Sequence, residues 1–172
     1  MTLTKIEYLT EKQKIEISEI WNAEYPVSLR FSGENNFEKY LSKLQNCVHY
    51  VLNDNFSGDF VDENSLVGWL CVFTRENERW FAMLVNNNYQ KQGIGKLLLD
   101  NAKKDESELN GWIIDNNKSN KENNMPYLSP IGFYLKNDFE ILTNIRLENE
   151  QISAVKILWK TLTIKPSRSL RP

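Results

Sequence analysis

Three β-rich runs stand close together in the middle of the chain: CVHYVLN at residues 47–53, SLVGWLCVFT at 65–74 and RWFAMLV at 79–85. A polar Gly-Asp loop separates the first two and the four residues RENE separate the last two, so the runs read as a meander and the centre of the fold as a sheet. Around it the apolar period changes. Residues 4–9 read as a further strand, and residues 11–24 as a helix with an imperfect apolar face of Ile15, Ile17, Ile20 and Trp21, ended by Pro26. Residues 36–44 place Phe37, Tyr40, Leu41 and Leu44 at i, i+3, i+4 and i+7, a second helix. After the meander come a glycine-containing loop and a helix, the strand GWIID (111–115), a polar loop, the helix candidate PIGFYLKND (130–138), and terminal strands around FEILTNI and ISAVKILW. The order β-α-α-β-β-β-α-β-α-β-β implies an α/β fold, a mixed sheet with helices packed on it. At 172 residues the chain suits one domain, expected over 1–162, with the basic, proline-broken end of the chain (163–172) as a flexible tail.

Composition removes several function classes. The formal net charge is −2 and basic residues are nowhere concentrated, so a nucleic-acid partner would lack its main electrostatic attraction. Cys47 and Cys71 lie in apolar surroundings without a CxxC, and the single histidine, His49, has no nearby ligand set in the sequence. Neither a disulfide scaffold nor a metal site is therefore expected, and the thiols read as buried groups in a reducing compartment. The opening residues carry no apolar signal core and no uncharged run is long enough to span a bilayer, so no membrane association is expected and the expected location is cytoplasmic.

The segment YQKQGIGKLLLDNAKK (89–104) holds Gly93 and Gly95, followed by Lys96. A Walker loop needs a hydroxyl after Gly-Lys and an earlier glycine; Leu97 and Gln90 stand there instead. A dinucleotide fingerprint needs a third glycine where Leu98 stands. The third pattern, Gln/Arg-x-x-Gly-x-Gly/Ala, is filled at every specified position by Gln90, Lys91, Gln92, Gly93, Ile94 and Gly95. In these residues the chain resembles the GNAT superfamily of acyl-CoA-dependent N-acetyltransferases. LVNNNYQKQGIGKLLL resembles that family's strand-loop-helix core, and SPIGFYLKNDFEI its second signature, with Tyr134 and Phe139 at the tyrosine and phenylalanine positions. The resemblance spans nearly the whole chain and implies a mixed, mostly antiparallel central sheet flanked by helices.

The residues support an anion site on their own terms. Glycines at 93 and 95 let a tight loop bring backbone N–H groups toward one point, where the following helix adds its unpaired donors and positive dipole end. Ile94, Leu97, Leu98 and Ala102 are expected to anchor that helix, and Lys91 and Lys96 to add positive charge. A lone GxG is more often a turn that caps a helix. With the second signature downstream, the pyrophosphate of acetyl-CoA is the expected cargo.

The resemblance also implies where the chemistry sits. Backbone at Leu84 and Val85 is expected to bond the pantetheine arm, with an N–H nearby polarising the thioester carbonyl. Tyr134 is the expected general acid for the departing thiolate, against the plainer reading of a core aromatic. Glu78, with Glu76 beside it, is the candidate base, although each also reads as a solvated turn carboxylate. The family often has an asparagine where this chain has Tyr127, and Asn116, Asn117 or Asn124 is a candidate to replace its pantetheine contact. The acceptor is expected against the first two helices, where Trp21, Tyr25 and Phe31 line a pocket and Glu24 attracts an ammonium. The expected function is direct acetyl transfer in a ternary complex to a primary amine of a small molecule or peptide, and a homodimer is allowed. The competing reading is an acyl-CoA-binding domain of the same fold without catalysis.

Overall fold

A computed structural model describes residues 1–33, 36–54 and 65–161. The expected tail at 163–172 and most of the Gly-Asp loop lie outside the described residues. The chain runs β1 (Thr2–Ile6), α1 (Glu11–Glu24), α2 (Asn36–Leu41), β2 (Gln45–Asp54), β3 (Ser65–Arg75), β4 (Glu78–Val85), α3 (Ile94–Asp105), β5 (Glu108–Ile113), α4 (Ile131–Leu135), β6 (Glu140–Glu148) and β7 (Ser153–Lys160). This is the element order read from the sequence.

One seven-stranded sheet has the order β1-β2-β3-β4-β5-β7-β6. Every neighbouring pair is antiparallel except β4 with β5, which is parallel. One face packs on α3 and α4 through Leu70, Phe81, Leu98, Leu99 and Tyr134, and the other on α1 and α2 through Ile17, Trp21, Phe37, Trp69 and Leu84. The sheet is thus the middle of three layers, each face kept from water by helices.

Local chemistry explains most boundaries. Thr10 and Gln13 form a capping box at the start of α1: the Gln13 N–H donates to Thr10 Oγ1 (3.2 Å) and the Thr10 N–H to Gln13 Oε1 (2.9 Å). The RENE turn is a two-residue hairpin in which Glu76 and Asn77 both take positive φ, at 51° and 62°. That matches the mirror-type turn that two-residue hairpins prefer.

Three readings are corrected. The first strand is Thr2–Ile6, two to three residues earlier than expected, because the register with β2 begins at Thr2 and Thr10 caps the next helix. Ile15 is 57% exposed and α1 buries only Ile17 and Trp21. In α3 the core side is Ile94, Leu98, Leu99 and Ala102, whereas Leu97 is 41% exposed. The leucine run allows either neighbouring stripe by composition, and packing against the sheet selects one. Among the described residues no helix is long and apolar enough to cross a membrane.

Candidate active site

The parallel pair β4–β5 shares one backbone register point, Trp80 with Asn110, near the start of β4. Beyond it the two strands part. Which β4 groups face the gap follows from the hairpin: Arg75 and Glu78 close the turn, and the Asn86 N–H donates to the Val67 carbonyl (3.0 Å) at the far end of the same ladder. In an antiparallel ladder every second residue bonds the partner strand, so Trp80, Ala82 and Leu84 turn their backbone polar groups toward β3. Phe81, Met83 and Val85 turn theirs toward the gap. Two carbonyls there are taken: Tyr25 Oη donates to Met83 O (3.2 Å) and Gln90 Nε2 to Val85 O (3.1 Å). Of the two residues expected to offer backbone contacts, Val85 therefore faces the gap and Leu84 does not, while Met83 does.

The gap ends at the N-terminus of α3. Gly93 is the N-cap residue with φ 82°, a left-handed conformation that a side chain would strain, and a Cβ there would meet nothing within 4 Å. Lys91 is also left-handed, at φ 60°. The first intrahelical bond is the Leu97 N–H to Gly93 O (3.0 Å), so the N–H groups of Ile94, Gly95 and Lys96 precede it and project from the helix end. The result is a set of backbone donors beside open space, with the dipole end behind them. Gln92 ties the loop by donating from Nε2 to Asn88 O (3.0 Å), and the exposed Lys96 is held by Asp100 (2.7 Å) rather than by the loop.

Gly95 serves a different purpose from the one expected. A Cβ at 95 would stand 3.0 Å from the Phe133 ring and 3.6 Å from Met83 Cε, so this glycine clears the approach of α4 to α3. Replacing Gly95 with alanine is expected to cost about 1–3 kcal/mol of stability through overpacking. Phe133→Leu in the same chain is expected to restore most of that loss, which urea unfolding of the single and double variants measures.

Tyr134 lies in α4 at 7% exposure, its ring 5.9 Å from Phe81, 5.1 Å from Phe133 and 5.3 Å from Phe139. Its hydroxyl has no hydrogen-bond partner among the described residues, yet it is not among the polar atoms sealed from solvent. Burial pushes its phenol well above the ordinary value, with Tyr127 adding to the rise. Tyr127 itself is pushed up to about 12 by burial, and its ring stacks 6.4 Å from Tyr25. Three neutral phenols, Tyr25, Tyr127 and Tyr134, therefore gather beside the strand gap.

Glu78 is not brought there. Met83 is five residues further along β4, about 17 Å at about 3.4 Å per residue, and the Glu78 carboxylate is paired with Lys156 (2.7 Å). Glu24, in contrast, lies at the end of α1 beside the gap: its Oε2 accepts from Gln90 Nε2 (2.8 Å) and from Lys121 Nζ (2.6 Å). Trp21 stacks on Tyr25 (4.2 Å) and packs on Phe31 (5.0 Å), and its Nε1 donates to Leu29 O. Trp21 is thus part of the second core, while Tyr25 and Glu24 carry that aromatic wall to the gap.

The long polar loop after β5 is ordered by its own turn. Asn120 bridges Pro126, the Lys121 N–H donates to Met125 O (2.9 Å), and Asn124 takes φ 62° at the bend. The hairpin docks on the segment after α1 through the Val27 N–H to Asn120 O (3.1 Å) and the Arg30–Glu122 pair (2.7 Å). Asn117 accepts from the Ser129 N–H (2.8 Å) and Asn116 from the Lys118 N–H (3.1 Å), each through its Oδ1 and each within the loop itself. Met83, Phe133 and Lys121 were not singled out from the sequence, and Gln90 was read as part of the glycine motif without its contacts to Glu24 and Val85. Only strand parity and long-range contacts reveal them.

His49, expected to have no ligand set, is in fact surrounded: ligand atoms of Cys47, His49 and Cys71 all lie within 4.8 Å of one another. This cluster sits on the α1–α2 side of β2 and β3, away from the strand gap.

Residues 45–141 match the family model described as an acetyltransferase (GNAT) domain. No curated protein sequence matches the chain. Among solved structures, an aminoglycoside 6'-N-acetyltransferase complexed with coenzyme A is similar with a TM-score of 0.65 at 14% identity, over 93% of this chain and 97% of that one. The aminoglycoside 6'-N-acetyltransferase from Enterococcus faecium gives 0.63 at 13%, over 93% and 97%. The ribosomal-protein-S18-alanine N-acetyltransferase from Escherichia coli gives 0.57 at 13%, over 96% and 98%. At such identities the likeness is one of fold.

Proposed function

The chain belongs to the GNAT family of acetyltransferases, and on that premise we propose that it transfers an acetyl group from acetyl-CoA to a primary amine, directly and within a ternary complex. The observation that carries this reading is the continuity of the gap beyond Trp80–Asn110 with the donor-lined N-terminus of α3. One extended ligand suits both: its pyrophosphate on the donors around Gly93 and its amide-bearing arm along the backbone of Met83 and Val85. The amine attacks the thioester carbonyl, the C–S bond breaks, and the thiolate needs a proton.

Tyr134 supplies that proton in this reading. Its burial keeps the phenol protonated at neutral pH, which suits an acid and not a base. An N–H on the gap side of β4 polarises the carbonyl, a task in which backbone geometry matters more than side-chain identity. Glu24, already paired with Lys121 and Gln90, braces the acceptor side of the gap, and water carries away the amine's proton in place of Glu78. The aromatic wall of Trp21, Tyr25 and Phe31 favours an amine whose cationic form can stack on a ring face.

Two measurements test the reading in sequence. Acetyl-CoA at a hundredfold excess over its Kd stabilises the fold by about 2.7 kcal/mol, and ATP at the same concentration does not. Thiol release in an amine panel, corrected for hydrolysis, then distinguishes enzyme from binder. Binding without amine-dependent release across the panel would favour a non-catalytic acyl-CoA-binding domain.

A further inference from the structure

Outside the gap, the described residues hold a second concentration of reactive groups, the Cys47, His49 and Cys71 side chains on β2 and β3. Cys71 and His49 are buried, while Cys47 is only partly covered. The backbone at Cys47 is irregular: the β2–β3 register passes from Gln45–Thr74 to Val48–Val72, leaving Asn46 and Cys47 out of the ladder, and Asn46 takes φ 48°. A bulge of this kind frees its residues from strand geometry. Cys47 can therefore move toward Cys71, which is held inside a central strand.

The surroundings favour a thiolate at Cys47. Trp69 Nε1 donates to His49 Nδ1 (3.2 Å), which leaves the ring proton on Nε2, the nitrogen nearer Cys47 Sγ at 3.5 Å. The same tautomer gives Nε2 no lone pair for a metal, so three-ligand coordination would require the Trp69 bond to break. The neighbouring Cys71 thiol holds the Cys47 thiol below the usual range, with His49 and Arg79 acting in the same direction and burial opposing them. Burial pushes the Cys71 thiol up. Arg79 reaches this corner by donating from Nη1 to the Asn46 carbonyl (3.2 Å), and the Tyr40 phenol faces it from α2. The shared proton accordingly rests on Cys71, the covered member of the pair.

We propose that Cys47 and Cys71 form an oxidisable thiol pair that takes hydroperoxides as its substrate class. The Cys47 sulfur attacks one oxygen of the hydroperoxide; an S–O bond forms, the O–O bond breaks, and the other oxygen leaves as water or alcohol after taking up a proton. Sulfur gives up two electrons and the peroxide accepts them. The Cys71 sulfur then attacks the sulfenic sulfur, forming S–S and breaking S–O, and the departing hydroxide leaves as water with the Cys71 proton. This chemistry does not depend on the acetyl-transfer reading.

The test uses the full chain treated with hydrogen peroxide at neutral pH, followed by thiol titration under denaturing conditions, intact mass and non-reducing peptide mapping. Wild type is expected to lose both thiols and two hydrogens per chain, as an intramolecular link that dithiothreitol reverses. Cys47→Ser is expected to leave Cys71 reduced, and Cys71→Ser to hold Cys47 as a sulfenic acid that adds dimedone. Survival of both thiols at a dose that oxidises free glutathione would overturn the proposal. So would oxidation of Cys71 in Cys47→Ser, a link only between chains, or thiols that react only after a chelator removes bound zinc. The wild-type measurement alone decides the matter if a serine variant fails to fold.

Discussion

Tyr134→Phe lowers kcat by about a hundredfold or more while the KM for acetyl-CoA stays within about twofold. The removed hydroxyl has no hydrogen-bond partner among the described residues, so no bond among them is lost, and the ring keeps its packing against Phe81, Phe133 and Phe139. Unfolding stability is expected to change by less than about 1 kcal/mol, which separates this variant from one that merely loosens the core. Without the phenol, the thiolate must leave unprotonated or take its proton from water, and that penalty falls on the chemical step and not on binding. The pH profile gives a second readout. Burial raises the folded-state pKa of Tyr134, so wild type should show no loss of rate from its ionisation up to the ordinary phenol value of about 10. Steady-state kinetics with the amine found in the panel measure both, and an unchanged kcat in Tyr134→Phe would remove the residue from the mechanism.

Gly93→Asp weakens acetyl-CoA binding by about a hundredfold with little effect on the fold. The space beside Gly93 is open, so the new side chain meets no neighbour, and the backbone strain at φ 82° costs about 1 kcal/mol, less for Asp or Asn than for other residues. A carboxylate there lies against the projecting N–H groups of α3, where it is stabilised by about 0.3–1 kcal/mol and takes the donors a pyrophosphate would use. Losing two charge-assisted hydrogen bonds at about 1.5 kcal/mol each corresponds to roughly that hundredfold. Gly93→Asn bears the same backbone strain without the charge and is expected to show a smaller loss. Calorimetric titration of the two variants isolates the electrostatic part. Binding within threefold of wild type in Gly93→Asp would place the pyrophosphate elsewhere.

Much of the fold was legible because its signals are local. The RENE turn, Pro26 after α1 and the glycine loop each act within a few residues, and together with the apolar periods they set element type and order, whereas the Thr10–Gln13 capping box went unread. Within elements the reading was coarser. Leu97 and Leu99 are equivalent by composition, and only contact with the sheet makes one exposed and the other core. Gly93 and Gly95 look like one motif; one relieves positive φ and the other makes room for Phe133. Glu78 looked like a free carboxylate because its partner, Lys156, is 78 positions away.

The sequence by itself determined the class of the fold, the order of its elements and the glycine-flanked start of α3, since turn chemistry, periodicity and helix-end donors need no distant partner. Only the tertiary structure decided that Met83 and Val85, and not Leu84, face the strand gap, because that parity follows from ladder pairing closed by the hairpin. It also decided that Glu24 joins the gap while Glu78 does not, and that Cys47, His49 and Cys71 meet. Such juxtapositions depend on register and on the packing of segments far apart in the chain, and single-sequence patterns carry no record of either.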